Sequence, residues 1–426
     1  MRKLTGLLAG ALGLVALVAF ALVVALLLGG LSRRGAVPTV TQPPTPTRHA
    51  TPTVVPTRIT PPPLQTPTQP ASPLPTPTVP MPGLGDYIFG PPQVVLTHTT
   101  AMGIAGWLPD SQNLLITRLV PTDTIKEYIE TFNVQTGEQR RYGERHTGGP
   151  KPFWLETIHK VAFTNQASLQ PASYDLWVSG YGATQARQPL RRGITLWSVA
   201  GRGNVVALVP QGQRQLLWID DSGQPVARPL IDLGALGFVP EDGTTVFSMI
   251  LSPDGQKLAL YNRLGFFIVD VLTGTLERAI DLGDVLDRGK RLTSYVRWSP
   301  DGHYIAVLAM AGQGRGLIMD LIIVDTGTGA LRKIDLGTKV TEVAWAPNSR
   351  HLAVWAVITQ QEGTNWAGLY LVDATTGETR RMLPETLFGG SYTWTWNMDW
   401  SPDGNTIAVT CPGMSKPSLC LIPVTL

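Results

Sequence analysis

Few residues of this chain are of a type and spacing that could do chemistry, and they form no catalytic pattern. The nearest match to the Gly-x-Ser-x-Gly elbow of serine hydrolases is Gly413-Met-Ser-Lys-Pro. It lacks the second glycine, and too little chain follows it for the Asp and His partners. The acidic groups Asp281, Asp284 and Asp287, and the pair Asp220 and Asp221, lack the glycine and terminal Glu of a calcium loop. We therefore expect no catalytic residues and interpret these aspartates as turn caps.

The histidines are equally unpromising as ligands. They show neither His-x-x-x-His nor mixed Cys/His metal spacing, at positions 49, 98, 146, 159, 303 and 351. His303 and His351 follow equivalent turns of a repeat, so we expect both to begin strands in contact with solvent. The prediction is no metal site and no cofactor.

A repeated phrase indicates which elements position these residues. Trp-Ser-Pro-Asp-Gly occurs at 298–302 and 400–404 and Leu-Ser-Pro-Asp-Gly at 251–255, each followed by an apolar triplet. With weaker copies, the repeat starts at 107, 154, 197, 251, 298, 345 and 400, which is a spacing of 43 to 55 residues. This period is that of a four-stranded propeller blade. The sequence thus predicts an all-β, seven-bladed β-propeller over residues 86–426.

A second signature, Asp-x-x-Thr-Gly, follows an apolar run in several units, as at Asp270 and Asp373. Both signatures are turn sequences in which Pro, Asp and Gly reverse the chain between strands. The last unit ends one strand short. The segment 92–97 is expected to supply that strand and to close the ring, which removes exposed sheet edges.

These motifs resemble the TolB-like, PD40-type branch of WD40-like β-propellers, most closely from residue 251 onward. The resemblance implies a binding platform more readily than a reaction, because such repeats occur in interaction proteins and in the propeller domains of peptidases. We expect a non-enzymatic protein that binds a protein partner or a cell-envelope ligand. The alternative is a propeller enzyme, a carbohydrate lyase or hydrolase, with its site at the central channel; paired carboxylates or a metal there would favour it.

A binding surface is expected on one rim of the propeller. The two short turn signatures occupy one rim, which leaves the long connections to the opposite rim. Aromatic and Arg residues on such loops are typical of binding surfaces, and the candidates are Arg315, Trp366, Tyr392, Trp394 and Trp396. The alternative for Trp394 and Trp396 is simple packing at the start of a strand.

Two N-terminal segments precede the propeller. Residues 4–32 carry no charge and are long enough to cross a bilayer, so residues 1–34 are predicted to be an uncleaved signal-anchor helix. Residues 35–85 are rich in Pro and Thr and are predicted to be a disordered, extended linker. The expected localisation is single-pass in a membrane with the propeller outside the cytoplasm, although basic residues flank both ends of the apolar segment.

The remaining predictions concern charge and cysteines. The formal net charge is only +3 and the basic residues are scattered, so nucleic acid is not an expected partner.

The two cysteines, Cys411 and Cys420, lie on either side of a predicted turn and would face each other across a hairpin. We expect a disulfide there; the alternative is a pair of buried free thiols.

Overall fold

The computed structural model describes residues 81–426 within one compact unit. Outside the description lie residues 122, 147–150, 170–171, 183–187, 200–205, 211–212, 214, 221, 237–247, 263–264, 284, 287–290, 312–317, 360–364, 389–397 and 412–415, and some strand side chains beside these gaps. The predicted anchor (1–34) and most of the predicted linker (35–85) also lie outside it.

The described chain is built of antiparallel strands in six sheets. Four sheets have four strands each: β3 (Met102–Trp107), β4 (Asn113–Val120), β5 (Asp123–Asn133) and β6 (Gln139–His146); β14 (Ser248–Leu251), β15 (Lys257–Tyr261), β16 (Gly265–Asp270) and β17 (Leu276–Asp281); β18 (Arg291–Trp298), β19 (Tyr304–Ala311), β20 (Ile318–Asp325) and β21 (Leu331–Ile334); β22 (Lys339–Trp345), β23 (His351–Thr359), β24 (Asn365–Asp373) and β25 (Thr379–Phe388).

The other two sheets are larger. The C-terminal sheet consists of β26 (Met398–Trp400), β27 (Thr406–Thr410) and β28 (Ser418–Thr425), completed by β1 (Ile88–Phe89) and β2 (Gln93–Thr97). The sixth sheet has seven strands: β7 (Phe153–Leu155), β8 (Lys160–Leu169), β9 (Ala172–Ser179), β10 (Arg191–Val199), β11 (Val206–Pro210), β12 (Gln215–Ile219) and β13 (Ile231–Asp232).

The predicted count of seven blades is wrong. In the described chain, five sheets have the four or five strands of a blade, and the sixth is a single seven-stranded sheet. The reason lies in β10, whose first half pairs with β9 and whose second half pairs with β11. Gly193 allows this strand to change partners, since it adopts a φ of 63° that other residues rarely take. The two weakest repeats, at 154 and 197, thereby fall within one sheet.

The predicted transmembrane helix and the membrane localisation also need correction. No helix in the described part of the chain is long and apolar enough to cross a membrane. The described helices are two 3₁₀ turns, Leu84–Asp86 and Glu156–Ile158. Residues 4–32, on which the prediction was based, lie outside the described residues.

The ring closes through the N-terminal strands. Both β1 and β2 pair with β28, and Val94 lies opposite Cys420. This is the pairing expected for segment 92–97. Buried apolar clusters span each pair of neighbouring sheets, including the first and the last, where Met102 and Ile104 pack with Ala408 and Leu419. The sheets therefore form a complete circle around an axis.

The N-terminal segment is also held by an aromatic side chain. Tyr87 is 3% exposed and packs edge-on against Trp400, at 5.9 Å between ring centroids. Its hydroxyl lies 3.2 Å from Nδ1 of His351 and accepts a hydrogen bond from Nδ2 of Asn348 at 2.7 Å. His351 is fully buried, so the expectation of a solvated strand start is wrong for this residue. His303, by contrast, has a side chain that is 76% exposed.

The Ser-Pro-Asp-Gly turns owe their shape to the serine. In the turn at 299–302 the Ser299 hydroxyl donates to Oδ1 of Asp301 at 2.6 Å and accepts from the Tyr304 N–H at 2.9 Å. The turns that begin at Ser252 and Ser401 repeat both bonds. A short polar side chain thus satisfies the backbone where the chain reverses. The sequence repeat is in this way a repeat of hydrogen bonds.

The C-terminal hairpin carries a disulfide between Cys411 and Cys420, with the Cα atoms 5.1 Å apart. The bond links the end of β27 to β28, the strand that also receives β1 and β2. The covalent link therefore lies in the sheet that closes the ring.

The second turn signature supports an ion pair in the sheet β22–β25. Oδ1 of Asp373 accepts hydrogen bonds from the backbone N–H groups of Thr375 and Thr376. Oδ2 accepts two from the Arg350 guanidinium, at 2.8 and 2.6 Å. Although burial opposes it, this set of donors lowers the pKa of Asp373 to about 2.

We predict that the Asp373→Asn variant is less stable than the wild type by about 1–2 kcal/mol at neutral pH. Because the pKa of Asp373 is lower in the folded state than in the unfolded state, its contribution is complete above about pH 4 and is lost as the pH falls toward 2. The difference between the urea midpoints of the two proteins should therefore shrink below about pH 4. A difference that stays constant down to about pH 2 would contradict the assignment.

Candidate functional site

The structure brings five polar side chains together at the propeller axis. The first strands of neighbouring sheets contact one another around this axis, as β22 contacts β26 and β26 contacts β3. All five residues lie on, or just before, the first strand of a sheet. We call them the axial cluster: Lys151, which precedes β7; Tyr295 and Arg297 on β18; Glu342 on β22; and Asp399 on β26.

Electrostatic contact across the axis identifies these residues as one group. The charges of Arg297, Glu342 and Asp399 all shift the pKa of Lys151, and these three residues come from three other sheets. Lys151, Arg297 and Asp399 each keep partial solvent access, whereas Glu342 is only 7% exposed. The space between the first strands is thus reached by water, and charged groups line it from several sides.

Backbone and ring contacts fix the positions of two members. The Tyr295 hydroxyl donates to the Val343 carbonyl at 2.7 Å and accepts from the Val343 N–H at 3.0 Å. The guanidinium of Arg297 lies 4.4 Å above the Tyr295 ring, a cation–π contact. Strand β18 therefore presents an aromatic ring and a cation as one unit, anchored to β22.

Asp399 is held by the first sheet. Its Oδ2 accepts a hydrogen bond from the Trp107 N–H at 2.7 Å, and its carbonyl accepts one from the Trp107 indole at 3.2 Å. Gly106 allows this approach, because a Cβ at that position would lie 3.2 Å from Oδ2. The Asp399 carboxylate thus bridges the last and first sheets of the ring.

The repeated tryptophans help to position the cluster. The indole N–H of Trp345 donates to the Arg297 carbonyl at 3.1 Å, and that of Trp298 donates to the Ile250 carbonyl at 3.2 Å. With Trp107, these make three cases in which the repeat Trp bonds to the preceding sheet. Each time the acceptor is the carbonyl of the residue that precedes the repeat Trp or Leu of the neighbouring sheet. The residues that form the fold thereby also fix the backbone of Arg297 and Asp399.

Burial moves the pKa values of three cluster members, Lys151, Glu342 and Asp399, toward neutrality. Burial and, to a smaller extent, the charge of Arg297 lower the pKa of Lys151 to about 8, although Glu342 and Asp399 partly oppose the shift. Burial raises the pKa of Glu342 to about 7 against the opposing effects of Lys151, the Tyr295 hydrogen bond and Arg297. Burial also raises the pKa of Asp399. Groups with such perturbed pKa values are typical of functional sites.

The charges converge without making direct ion pairs. Among the described residues, no carboxylate oxygen lies within 4.0 Å of a nitrogen of Lys151 or Arg297. Oε2 of Glu342 has no hydrogen-bond partner in the described chain. Buried polar groups normally find partners, so a carboxylate oxygen without a hydrogen bond, beside two cations that have no ion-pair partner in the described chain, needs an explanation. The arrangement is suited to hold a small polar ligand between the charged groups.

The rim site predicted from sequence cannot be placed on this structure. Arg315, Tyr392, Trp394 and Trp396 lie outside the described residues. The backbone of Trp366 belongs to β24 and pairs with Ile358 and Leu387, but its side chain also lies outside the description. The rim site therefore stays a prediction that the described residues do not test. The described chain holds no group of His, Cys, Asp and Glu arranged for a metal ion.

Sequence reasoning missed the axial cluster, although a signal was present. Arg297 and Asp399 stand immediately before the repeat Trp, and Glu342 stands three residues before it. The residues just before the Trp or Leu that starts the repeat in the five other units are uncharged: Gly106, Phe153, Leu196, Ile250 and Ala344. A charge at this point of an inner strand faces the axis and is unusual in a buried strand. Comparing the repeats position by position would have found it.

A surface pocket elsewhere is less suited to binding. It has a volume of about 470 Å³ and is lined by Gln213, Gln215, Asp232, Gly234 and Ala235. The carboxylate of Asp232, the acidic group among the described lining residues, already accepts hydrogen bonds from the N–H groups of Gly234 and Ala235. The axial cluster remains the stronger candidate.

Comparison with known proteins supports the fold class. No family model and no curated protein matches the chain. Among solved structures, an oligogalacturonate lyase in complex with manganese has a TM-score of 0.50 at 11% identity, covering 79% of this chain and 97% of that one. The β-propeller domain of Cps50 (Swd1) from Myceliophteria thermophila has a TM-score of 0.48 at 13% identity, covering 79% of this chain and 100% of that one. The protein is a β-propeller; at these identities the likeness concerns the fold alone.

Proposed function

We propose that this chain is a TolB-like, PD40-type propeller that acts as a non-catalytic binding protein and takes a small polar ligand at the axial cluster. The observation that carries the proposal is the set of charges on the axis that approach one another without forming ion pairs. A structural salt-bridge network would close these contacts, because an unpaired buried charge is costly. A ligand or ordered water between the groups explains why they stay open.

The rim remains part of the proposal as a separate contact. Arg315, Trp366, Tyr392, Trp394 and Trp396 are proposed to bind a protein partner, on the argument that aromatic and Arg residues on long loops suit recognition. A pull-down with the Arg315→Ala and Trp366→Ala variants tests this. Retention of every partner by both variants would remove the rim contact and would leave the axial site untouched.

A second candidate function is a propeller enzyme, a carbohydrate lyase or hydrolase acting at the channel. One observation favours it: the pKa values of Lys151 and Glu342 lie near neutrality, which suits proton transfer. The two functions differ in a simple readout. A bound ligand that is recovered unchanged after prolonged incubation indicates binding, and a new product spectrum indicates catalysis.

The axial site is tested by a thermal-shift screen of small polar compounds against the wild type and the Lys151→Met and Arg297→Met variants. We expect each compound that stabilises the wild type to bind at least about tenfold more weakly to both variants, because each removes a charged contact. Arg192→Met is the matched control, since Arg192 is exposed on β10 and, among the described residues, makes no hydrogen bond or ion pair with a member of the cluster. Compounds that stabilise all four proteins equally would overturn the axial assignment.

A further inference from the structure

The chemistry of the axial cluster restricts the ligand class. Lys151 and Arg297 offer hydrogen-bond donors with positive charge and accept nothing. In the described chain, neither has a carboxylate within ion-pair distance. One nitrogen of Arg297 donates to the Val296 carbonyl at 3.0 Å, which leaves further guanidinium N–H groups for another acceptor. An anionic group is therefore the partner whose charge and hydrogen-bond acceptors match both cations.

The two carboxylates of the cluster do not supply the anionic partner that Lys151 and Arg297 lack. Asp399 directs Oδ2 to the Trp107 N–H, so one of its oxygens already belongs to the contact between two sheets. Glu342 lies near the Tyr295 hydroxyl, which donates to the Val343 carbonyl, and Oε2 of Glu342 has no partner in the described chain. Glu342 is only 7% exposed, so solvent does not readily satisfy this free acceptor oxygen.

We infer that the axial cluster selects a small organic acid that carries a hydroxyl or ammonium donor next to its carboxylate. The carboxylate of the ligand lies between Lys151 and Arg297, and its donor group bonds to Oε2 of Glu342. This inference rests on the proposed function and adds the chemical class of the ligand. The aromatic face of Tyr295 beneath Arg297 limits the space beside the carboxylate.

Other charged clusters of the described chain do not offer the same combination. In the first sheet, Arg118 makes two hydrogen bonds of 3.0 Å to Glu130, and Arg145 makes one of 2.6 Å to Glu127. These are closed ion pairs with both partners largely buried. Such pairs have satisfied one another and leave neither charge for a ligand. The open arrangement at the axis is therefore a distinct feature.

The test uses four probes that differ by one group: glycolate, acetate, glycolamide and glycine. Acetate lacks the hydroxyl of glycolate, glycolamide lacks its charge, and glycine replaces the hydroxyl by an ammonium group. Ligand-observed NMR titration of the folded full chain at neutral pH gives the dissociation constants. We expect glycolate to bind at least about tenfold more tightly than glycolamide and several-fold more tightly than acetate. Glycine shows which donor the site prefers.

Variants assign each preference to a residue. Lys151→Met should abolish the preference for glycolate over glycolamide, and Lys151→Arg, which keeps the charge, should retain it. Glu342→Met should abolish the preference for glycolate over acetate, and Glu342→Gln, which keeps an oxygen acceptor, should retain part of it. The rescuing variants separate a lost contact from a misfolded protein, and Arg192→Met serves again as the unaffected control.

The outcomes distinguish the ligand class from the site itself. Equal binding of glycolate, acetate and glycolamide, with all three weakened by Lys151→Met, would overturn the ligand class and keep the axial site. Binding of the acids that is unchanged in Lys151→Met and Arg297→Met would overturn both. If none of the four probes binds while screened compounds of other chemistry depend on Lys151, the ligand class is likewise wrong.

Discussion

Replacement of Trp345 by Ala is expected to lower the free energy of unfolding by about 3–5 kcal/mol. Trp345 is 8% exposed and stacks on Tyr304 with the ring centroids 6.3 Å apart. Its loss leaves a cavity between two sheets and also removes the hydrogen bond to the Arg297 carbonyl. Chemical denaturation followed by tryptophan fluorescence and circular dichroism measures the change.

Trp197 provides a matched control for the hydrogen bond. It occupies the same repeat position and is also 8% exposed, but its indole nitrogen has no partner in the described chain. Trp197→Ala should therefore cost about as much as Trp345→Ala, because both remove a buried ring. The Phe variants should differ. Trp345→Phe loses a hydrogen bond worth about 1 kcal/mol, whereas Trp197→Phe removes an unsatisfied donor and should cost less.

The same pair of variants tests whether the repeat positions the axial site. Trp345→Phe frees the Arg297 carbonyl, so it should weaken any ligand that depends on Arg297, while Trp197→Phe should not. Equal stability and equal ligand binding in the two Phe variants would show that the indole hydrogen bond contributes to neither.

Local turn chemistry made much of the fold predictable from sequence. The Ser-Pro-Asp-Gly and Asp-x-x-Thr-Gly signatures correctly predicted chain reversals, because the side chains of Ser299 and Asp373 satisfy backbone groups within a few residues. The pairing of segment 92–97 with the last sheet was predictable because the last unit is one strand short. These are properties of a short stretch of chain and its strand count.

The blade count was not predictable, because it depends on which strands pair. The repeats at 154 and 197 carry a weak signature, and the decisive feature is the change of partner along β10 at Gly193. One glycine within an otherwise ordinary strand gives no sequence signal for such a change. The burial of His351 was missed for a similar reason, since its neighbour Tyr87 is 264 residues away in sequence.

The candidate site was not predictable from local sequence, because its residues come from first strands that are far apart in the chain. Charges such as Arg297 and Asp399 were visible, but their convergence depends on the closure of the ring. Sequence spacing brings residues of one strand together; only the complete circle brings Lys151 opposite Glu342. The types of residue were informative, and the missing information was the register of each sheet around the axis.

The axial cluster should produce a minimum in the pH dependence of stability between about pH 7 and 8. The folded state raises the pKa of Glu342 to about 7, so between about pH 4.5 and 7 it holds a proton that the unfolded state has lost. Stability therefore falls as the pH rises through this window. The folded state lowers the pKa of Lys151 to about 8, so between about pH 8 and 10.5 the unfolded state holds the extra proton, and stability rises again.

We call the fall in stability with pH the Glu342 arm and the later rise the Lys151 arm. The size of each arm follows from how far the pKa of that residue differs between the folded and unfolded states. At about 1.4 kcal/mol per unit, the Glu342 arm is worth about 2–3 kcal/mol after allowance for water in the channel. The Lys151 arm is smaller, about 1–2 kcal/mol, because this side chain is partly exposed. The pKa of Asp399 is also raised, so this residue, like Glu342, makes stability fall as the pH rises through the acid range.

Two variants separate the arms, measured as urea midpoints from about pH 5 to 10 and compared with the wild type at each pH. Glu342→Gln should remove the falling arm and be more stable than the wild type above about pH 7, with little difference near pH 5. It should also start the rising arm at lower pH, because the Glu342 charge raises the pKa of Lys151. Lys151→Met should remove the rising arm and extend the falling one, because Lys151 lowers the pKa of Glu342. Parallel profiles for all three proteins would mean that neither Glu342 nor Lys151 has a shifted pKa in the folded state. Loss of one arm with the other arm unmoved would mean that the two groups do not interact across the axis.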